Sequence, residues 1–265
     1  MLQAHSFLWH YLWVAPNILL LILGSLMIWK GGLWKRFPAF LAFAVFSSLG
    51  QLAVYTADVV PSVSAENFWR VDWVSLLIEG PLKFVLVGEI FAQVFGSYSS
   101  LARLGKFLIR AAGVALVLAA ALAAAYAPKN GLFGIVSGAH LLDQTIYLIE
   151  TGLLVFIFVL SSYFHLSLDR RLFGIAVGLS VSACVHLATW AIMANGGVSN
   201  AVRYDLDFVN MATYHVCVLI WFYYLLVARK TTTPPQGPLA GPPAGPTCEE
   251  DLDVWNRELE RLVHP

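Results

Sequence analysis

Charge is what this chain has least of. Only 12% of its 265 residues are Asp, Glu, Lys or Arg, against about 25% in an ordinary soluble domain, which excludes a soluble globular fold. Its 16 Lys and Arg balance 16 Asp and Glu, and a net charge of zero leaves no basic footprint for nucleic acid. Cysteine is sparse too. Cys184 and Cys217 fall in apolar runs and Cys248 in a tail expected on the reducing side, which excludes a disulfide framework. There is no Walker loop, dinucleotide fingerprint, HExxH, CxxC or GxSxG elbow, so no motif names a reaction and the reading leans away from an enzyme. The opening residues, MLQAHSFLWH, have neither the basic start nor the cleavage site of a signal peptide, so the first apolar run is expected to stay attached.

What is abundant is apolar sequence: 59% of the residues are hydrophobic and the mean hydropathy is +0.73. A membrane-spanning helix needs about 20 mostly apolar residues. Seven runs qualify, at about 11–29, 38–57, 72–96, 108–127, 134–162, 172–194 and 208–228. A transmembrane barrel would instead show alternating segments of about ten residues. The expected fold is therefore all-α: a polytopic membrane protein built as a seven-transmembrane helix bundle, in contact with the lipid bilayer. Lys30, Lys35, Arg36, Arg103, Lys106, Arg110, Arg170, Arg171, Arg229 and Lys230 all fall on one side of these runs. The other side has Arg70, Lys129 and Arg203 beside Asp58, Glu66, Asp205 and Asp207. Basic loops stay cytoplasmic, so the N-terminus is expected outside, the C-terminus inside, and the chain in a bacterial plasma membrane. Trp9, Trp13, Trp69, Trp73 and Trp190 fall near the outer interface, where amphipathic rings anchor spans.

Composition divides the chain into three parts: a transmembrane domain over 1–230, a Pro/Gly-rich linker over 231–247 and a short amphipathic helix over 248–265. The run PPQGPLAGPPAGP at 234–246 suits an extended tether. After it, Leu252, Trp255, Leu259 and Leu262 fall at i, i+3, i+7 and i+10, an amphipathic stripe. With six acids against two arginines, this helix is disfavoured at an anionic lipid surface. It is expected to dock on a protein partner in the cytoplasm or membrane, or on the chain's own basic loops.

Ionisable residues inside spans are costly and normally face a bundle interior or a water-filled cavity. In the fifth run His140, Asp143, Tyr147 and Glu150 share one helical face, as do Asp72, Ser75, Glu79 and Lys83 in the third. Ser48, Gln51, Tyr55 and Asp58 line the second; Ser182, His186 and Thr189 the sixth; Asn210, Tyr214 and His215 the seventh; and Asn17 follows Pro16 in the first. Only the fourth run has an apolar centre, so it is expected at the periphery or packed through its alanines. At a rise of about 1.5 Å per residue, Glu79, Asp143, His186 and His215 all lie about 10 Å below their outer helix ends, which implies one polar cavity open to the outside. Glu79 and Lys83 are also spaced for an intrahelical ion pair around Pro81, which is expected to kink the helix. Glu89, nearer the cytoplasm, is expected to pair with the basic inner loops.

The candidate ligand-binding residues are thus Glu79, Lys83, Asp143, Tyr147, Glu150, His186 and His215, with Leu252, Trp255, Leu259 and Leu262 for partner docking. No catalytic residue or metal site is assigned. The leading reading is a receptor- or sensor-like protein that binds a small polar or cationic ligand and signals to a cytoplasmic partner, with no cofactor. Three others stand beside it: a redox subunit holding haem between His186 and His215, a proton-coupled transporter using Glu150 or Glu79, and a structural or assembly subunit of a membrane complex.

The strings GEIFAQVFGSYSSLARLG at 88–105, LFGIAVGLS at 172–180 and DVWNRELERL at 253–262, taken with the seven runs, resemble a group of uncharacterised bacterial seven-span integral membrane proteins. The resemblance covers most of the chain and implies the fold without assigning a site. In layout the chain is also similar to the seven-transmembrane sensor modules of bacterial histidine kinases. No output domain is expected after the terminal helix, so a signal would pass to a partner in trans.

Overall fold

The computed structural model describes residues 7–30, 32–96, 99–126, 132–163, 168–194, 199–227, 253 and 255–257. Among them every regular element is helical: α1 (Phe7–Trp29), α2 (Leu33–Arg36), α3 (Pro38–Val59), α4 (Ala65–Phe95), α5 (Ser99–Tyr126), α6 (Leu132–Tyr163), α7 (Arg170–Ala194) and α8 (Asn200–Phe222), the last running into a π-helical turn at Tyr223–Val227. Each apolar run lies on one long helix. Five stretches, Phe7–Trp29, Pro38–Val59, Leu141–Tyr163, Arg170–Met193 and Ala201–Val227, are long and apolar enough to cross a membrane. By length and composition this is a multi-pass helical membrane protein. α4 is not among them because Asp72, Glu79, Lys83 and Glu89 interrupt its apolar run with charge. The 231–247 linker, and the 248–265 segment apart from Asp253 and residues 255–257, lie outside the described residues.

Three helices, α4, α5 and α8, begin well before their apolar runs, and α4 and α8 each start on a serine cap. The Ser64 hydroxyl accepts from the Asn67 amide at 3.3 Å, starting α4 at Ala65. Ser199 does the same for the Val202 amide at 3.4 Å, starting α8 at Asn200. Such caps satisfy amides that the first helical turn leaves without intrahelical partners. Their effect here is to carry Asp72 and Asp207 on ordered helix instead of in loops.

The long helices form a closed ring in which α1, α3, α4, α6, α7 and α8 each touch the next and α8 returns to α1. α5 lies outside the ring and, among the described residues, touches only α4 and α6, as its apolar centre predicts. Toward the end of the bundle holding α2, the ring is filled by a packed core that includes Leu23, Phe40, Phe43, Leu86, Ile90, Leu154, Ile157, Leu179, Trp221 and Leu225. Trp221 sits edge-on to Phe40 and Phe43 and donates from Nε1 to the Ile175 carbonyl at 3.2 Å. Gly174 and Gly178 let α7 approach this closely, since a Cβ at Gly178 would run into the Trp221 indole and one at Gly174 into Tyr224. Small residues four apart are the usual means of close helix contact in membranes.

Glu89 has a different role from the expected pairing with basic loops. Its Oε2 accepts the Ala39 backbone amide at 2.9 Å. Gln93 donates to the Arg36 carbonyl at 3.0 Å and to Glu89 Oε1 at 3.3 Å. α3 begins at Pro38 with no side-chain cap of its own, so α4 supplies the missing acceptor across the helix pair. Negative charge at a helix N-terminus is also favoured by the helix dipole. Glu89→Ala is expected to lower stability by about 1–2 kcal/mol, measured by thermal unfolding in detergent. An unchanged midpoint would mean the cap contributes nothing. Nearby, Arg36 pairs with Asp169 at 2.6 Å, tying α2 to the residue preceding α7.

Candidate functional site

Opposite the packed core, the ring opens around polar side chains, each placed by helical periodicity. Asp72, Glu79 and Lys83 follow one face of α4, and Asp143, Tyr147 and Glu150 one face of α6. α7 contributes His186 and Trp190, α8 contributes Arg203, Asp207, Asn210 and Tyr214, α1 contributes Trp9, Trp13 and Asn17, and α3 contributes Ser47 and Gln51. Two cavities result. The inner has a volume of about 330 Å³ and is walled by Trp9, Trp13, Asn17, Ser47, Ser182 and Tyr214. The outer, of about 530 Å³, is walled by Trp69, Asp72, Asp143, Trp190 and Arg203. Gln51, Glu79, Tyr147, His186, Asp207 and Asn210 line both, so the two are adjacent chambers that share a wall.

Lys83 lies beneath this site with its side chain only 6% exposed, between Glu79 Oε1 at 3.1 Å and Glu150 Oε2 at 3.6 Å. Its ammonium also sits 3.9 Å from the centre of the Tyr147 ring, within cation–π range. Glu150 is 1% exposed and its Oε2 has no hydrogen bond, so the contact to Lys83 is an ion pair beyond hydrogen-bond length. By formal charge, two carboxylates share one ammonium. Asp72, Asp143 and Asp207 add three negative charges around the chambers, against the single guanidinium of Arg203. By formal charge the carboxylates outnumber the cations even with His186 protonated.

His186 joins the charged residues to the aromatic wall. Its ring stacks on Tyr147 with centroids 3.9 Å apart. Its Nε2 lies 2.7 Å from Asp143 Oδ2 and 2.8 Å from Trp190 Nε1. As N–H this nitrogen donates to Asp143, and as a lone pair it accepts from Trp190; it cannot do both at once. The ring thus has two competing partners at one atom, and a change of tautomer or charge exchanges them. One turn along α7, the Thr189 hydroxyl donates to the His186 carbonyl at 2.8 Å and accepts from Asn210 Nδ2 at 3.0 Å, which orients Asn210 on the cavity wall.

Of the sequence candidates, Glu79, Tyr147 and His186 line both chambers and Asp143 the outer one, while Lys83 and Glu150 form the ion cluster underneath. His215 lies apart. Its ring packs against Tyr11 of α1 at 5.7 Å, its Nδ1 is buried without a hydrogen bond, and it lines neither chamber. The side chain of His140 and residues Leu252, Leu259 and Leu262 lie outside the described residues; Trp255 is half exposed. Among the described residues no three His, Cys, Asp or Glu side chains converge as a metal site. Sequence reasoning placed Asp207 and Arg203 in a loop, but they are cavity residues. The signal was the spacing Arg203, Asp207, Asn210, Tyr214 at i, i+4, i+7 and i+11, a single helical face. Trp9, Trp13, Trp69 and Trp190, expected as interfacial anchors, are walls of the site; Trp9 stacks on Tyr204 at 4.8 Å.

Against known proteins, the chain matches no protein-family model, no curated protein and no solved structure.

Proposed function

We propose that this chain is a seven-span plasma-membrane protein, N-terminus outside and C-terminus in the cytoplasm, whose outward-facing site binds a small organic cation in the manner of a receptor. The observation that carries the reading is the charge count. Glu79 and Glu150 share the single ammonium of Lys83, and a net negative charge held away from water is costly unless a cation or a proton compensates it. A ligand cation beside Glu79 balances the cluster, and the aromatic walls accept both its charge and its hydrocarbon. The orientation rests on the basic residues grouped at the end of the bundle away from the site. The seven-span reading adds α4 and α5 to the five apolar stretches, α4 hiding its charged face within the ring. Beneath the site the apolar core closes the bundle, which supports binding over passage. Signalling would run through residues 248–265 to a cytoplasmic partner.

The test is a charge series on the detergent-purified chain: 2-phenylethylammonium, neutral 2-phenylethanol and anionic 3-phenylpropionate. A ligand at 100 times its Kd stabilises the state it binds by about 2.7 kcal/mol. The ammonium is expected to raise the unfolding midpoint in a saturable way, and the other two to leave it unchanged. Equal stabilisation by the anion, or none by the ammonium, would overturn the reading.

A further inference from the structure

We infer that a groove on the outer face of the α3–α4 pair is a binding site for one zwitterionic diacyl phospholipid, whose acyl chain lies along the groove and whose phosphate is held by Arg70. The inference uses only the multi-pass helical fold and stands apart from the cation reading.

The groove has a volume of about 460 Å³ and is formed by α3 and α4 alone. At its base the two helices touch: a Cβ at Gly50 would stand 2.4 Å from Ser75 Oγ, and Ser75 is buried. Phe46 and Leu49 on one helix, and Val74 and Ile78 on the other, stand beside these small residues and are each about half exposed. Small side chains between large ones leave the depression. The same two helices face the chambers with a different set, among them Ser47, Gln51, Asp72 and Glu79, and no residue of the groove lines either chamber. The groove therefore opens on the outside of the ring, the side that meets lipid in a multi-pass protein.

Arg70 is the one charged residue on it; apart from Arg70 and Ser75 every lining residue is apolar. Arg70 lies within two turns of the start of α4 at Ala65. From there to Ile78 the helix rises about 12 Å, most of the roughly 15 Å that one leaflet gives to the hydrocarbon core. An arginine so placed lays its stem on apolar surface and keeps its head at headgroup level, where a guanidinium matches phosphate with paired N–H donors. Glu66, one turn nearer the helix start, pairs with Arg70. The mouth of the groove is thus neutral by formal charge and offers one charge of each sign. A headgroup carrying both phosphate and ammonium complements that pair, whereas an anionic headgroup meets Glu66 with no cation of its own. An acyl chain gains no hydrophobic free energy by leaving other chains for the groove. It gains packing contacts there, and selectivity falls to the headgroup.

The experiment is native mass spectrometry of the delipidated full-length protein, mixed with dioleoyl phosphatidylethanolamine or dioleoyl phosphatidylglycerol at equal concentration. The wild type is expected to retain a single phosphatidylethanolamine, about fivefold more strongly than phosphatidylglycerol, the upper range for an exposed charge pair. Arg70→Gln should weaken phosphatidylethanolamine by a similar factor. Ala53→Phe places a ring in the groove from an exposed position and should lower retention of both lipids. Equal retention of the two lipids by the wild type, or a broad distribution of bound lipids with no single adduct, would overturn the inference. So would an Arg70→Gln or folded Ala53→Phe protein that holds phosphatidylethanolamine as the wild type does. The wild-type comparison and Arg70→Gln, a change at an exposed side chain, decide the matter even if Ala53→Phe fails to fold. Binding of 2-phenylethylammonium has no bearing on any of these outcomes, so either reading can fail without the other.

Discussion

Lys83→Met is expected to destabilise the bundle by about 3–5 kcal/mol, the usual cost of removing one partner from a buried ion pair. Methionine fills much of the space of the lysine stem but strands Glu79 and Glu150, the latter 1% exposed, with no ammonium between them. The cation–π contact to Tyr147 is lost as well. Adding Glu150→Gln to Lys83→Met removes one of the two stranded charges and should recover a substantial part of the loss. Because the residues touch, their effects will not add, and that coupling is what a double-mutant cycle reads. Reversible unfolding in mixed detergent micelles measures the wild type, the two single variants and the double variant. A single-variant loss below about 1 kcal/mol, the level of an exposed pair, would mean that Lys83 does not hold the cluster together.

Glu79→Gln should do the opposite, sparing stability while removing binding. Lys83 keeps Glu150 as its partner at 3.6 Å, so the cluster becomes a neutral pair and the free energy of unfolding should change by less than about 1 kcal/mol. Glu79 is also the one member of the cluster that lines both chambers. Losing a buried, contacting charge partner weakens binding by about 2–4 kcal/mol, roughly 30- to 1,000-fold. Titration with 2-phenylethylammonium, alongside the unfolding midpoint, checks both halves. A variant that binds normally would take Glu79 out of the site.

The helices were legible because each run repeats its apolar pattern over four or more turns. The helix starts were less so: Ser64 and Ser199 cap α4 and α8 about two turns ahead of the apolar runs, and hydropathy does not register a cap. The same shift explains why Asp207 reads as a loop acid until the helix carrying it is seen to begin at Asn200. Within the site, single-face spacing on α4 and α6 was enough to bring Glu79, Lys83, Tyr147 and Glu150 together. Depth was a weaker guide. His186 and His215 lie at similar levels, but neighbouring residues on a helix point about 100° apart; Tyr214 takes the cavity-facing position on α8 and His215 turns to Tyr11. Tryptophan suits a lipid interface and a cavity wall equally well, so the roles of Trp9 and Trp190 depended on the neighbouring helices. The partners of His186 were hidden for the same reason, since Asp143 belongs to α6.

The charge count is tested most directly through a residue that the ligand does not reach. Glu150 lines neither chamber, so Glu150→Gln can alter cation binding only by leaving Lys83 and Glu79 as a neutral pair. A unit charge roughly 10 Å from a ligand acts on it by about 1.7 kcal/mol at an effective dielectric of 20. Isothermal titration of 2-phenylethylammonium into the wild type and into Glu150→Gln should therefore show affinity falling by more than about tenfold, with 2-phenylethanol bound by neither protein. Equal affinity for the ammonium in the two proteins would contradict the account, because the negative charge in excess at Lys83 would then play no part in holding a cation.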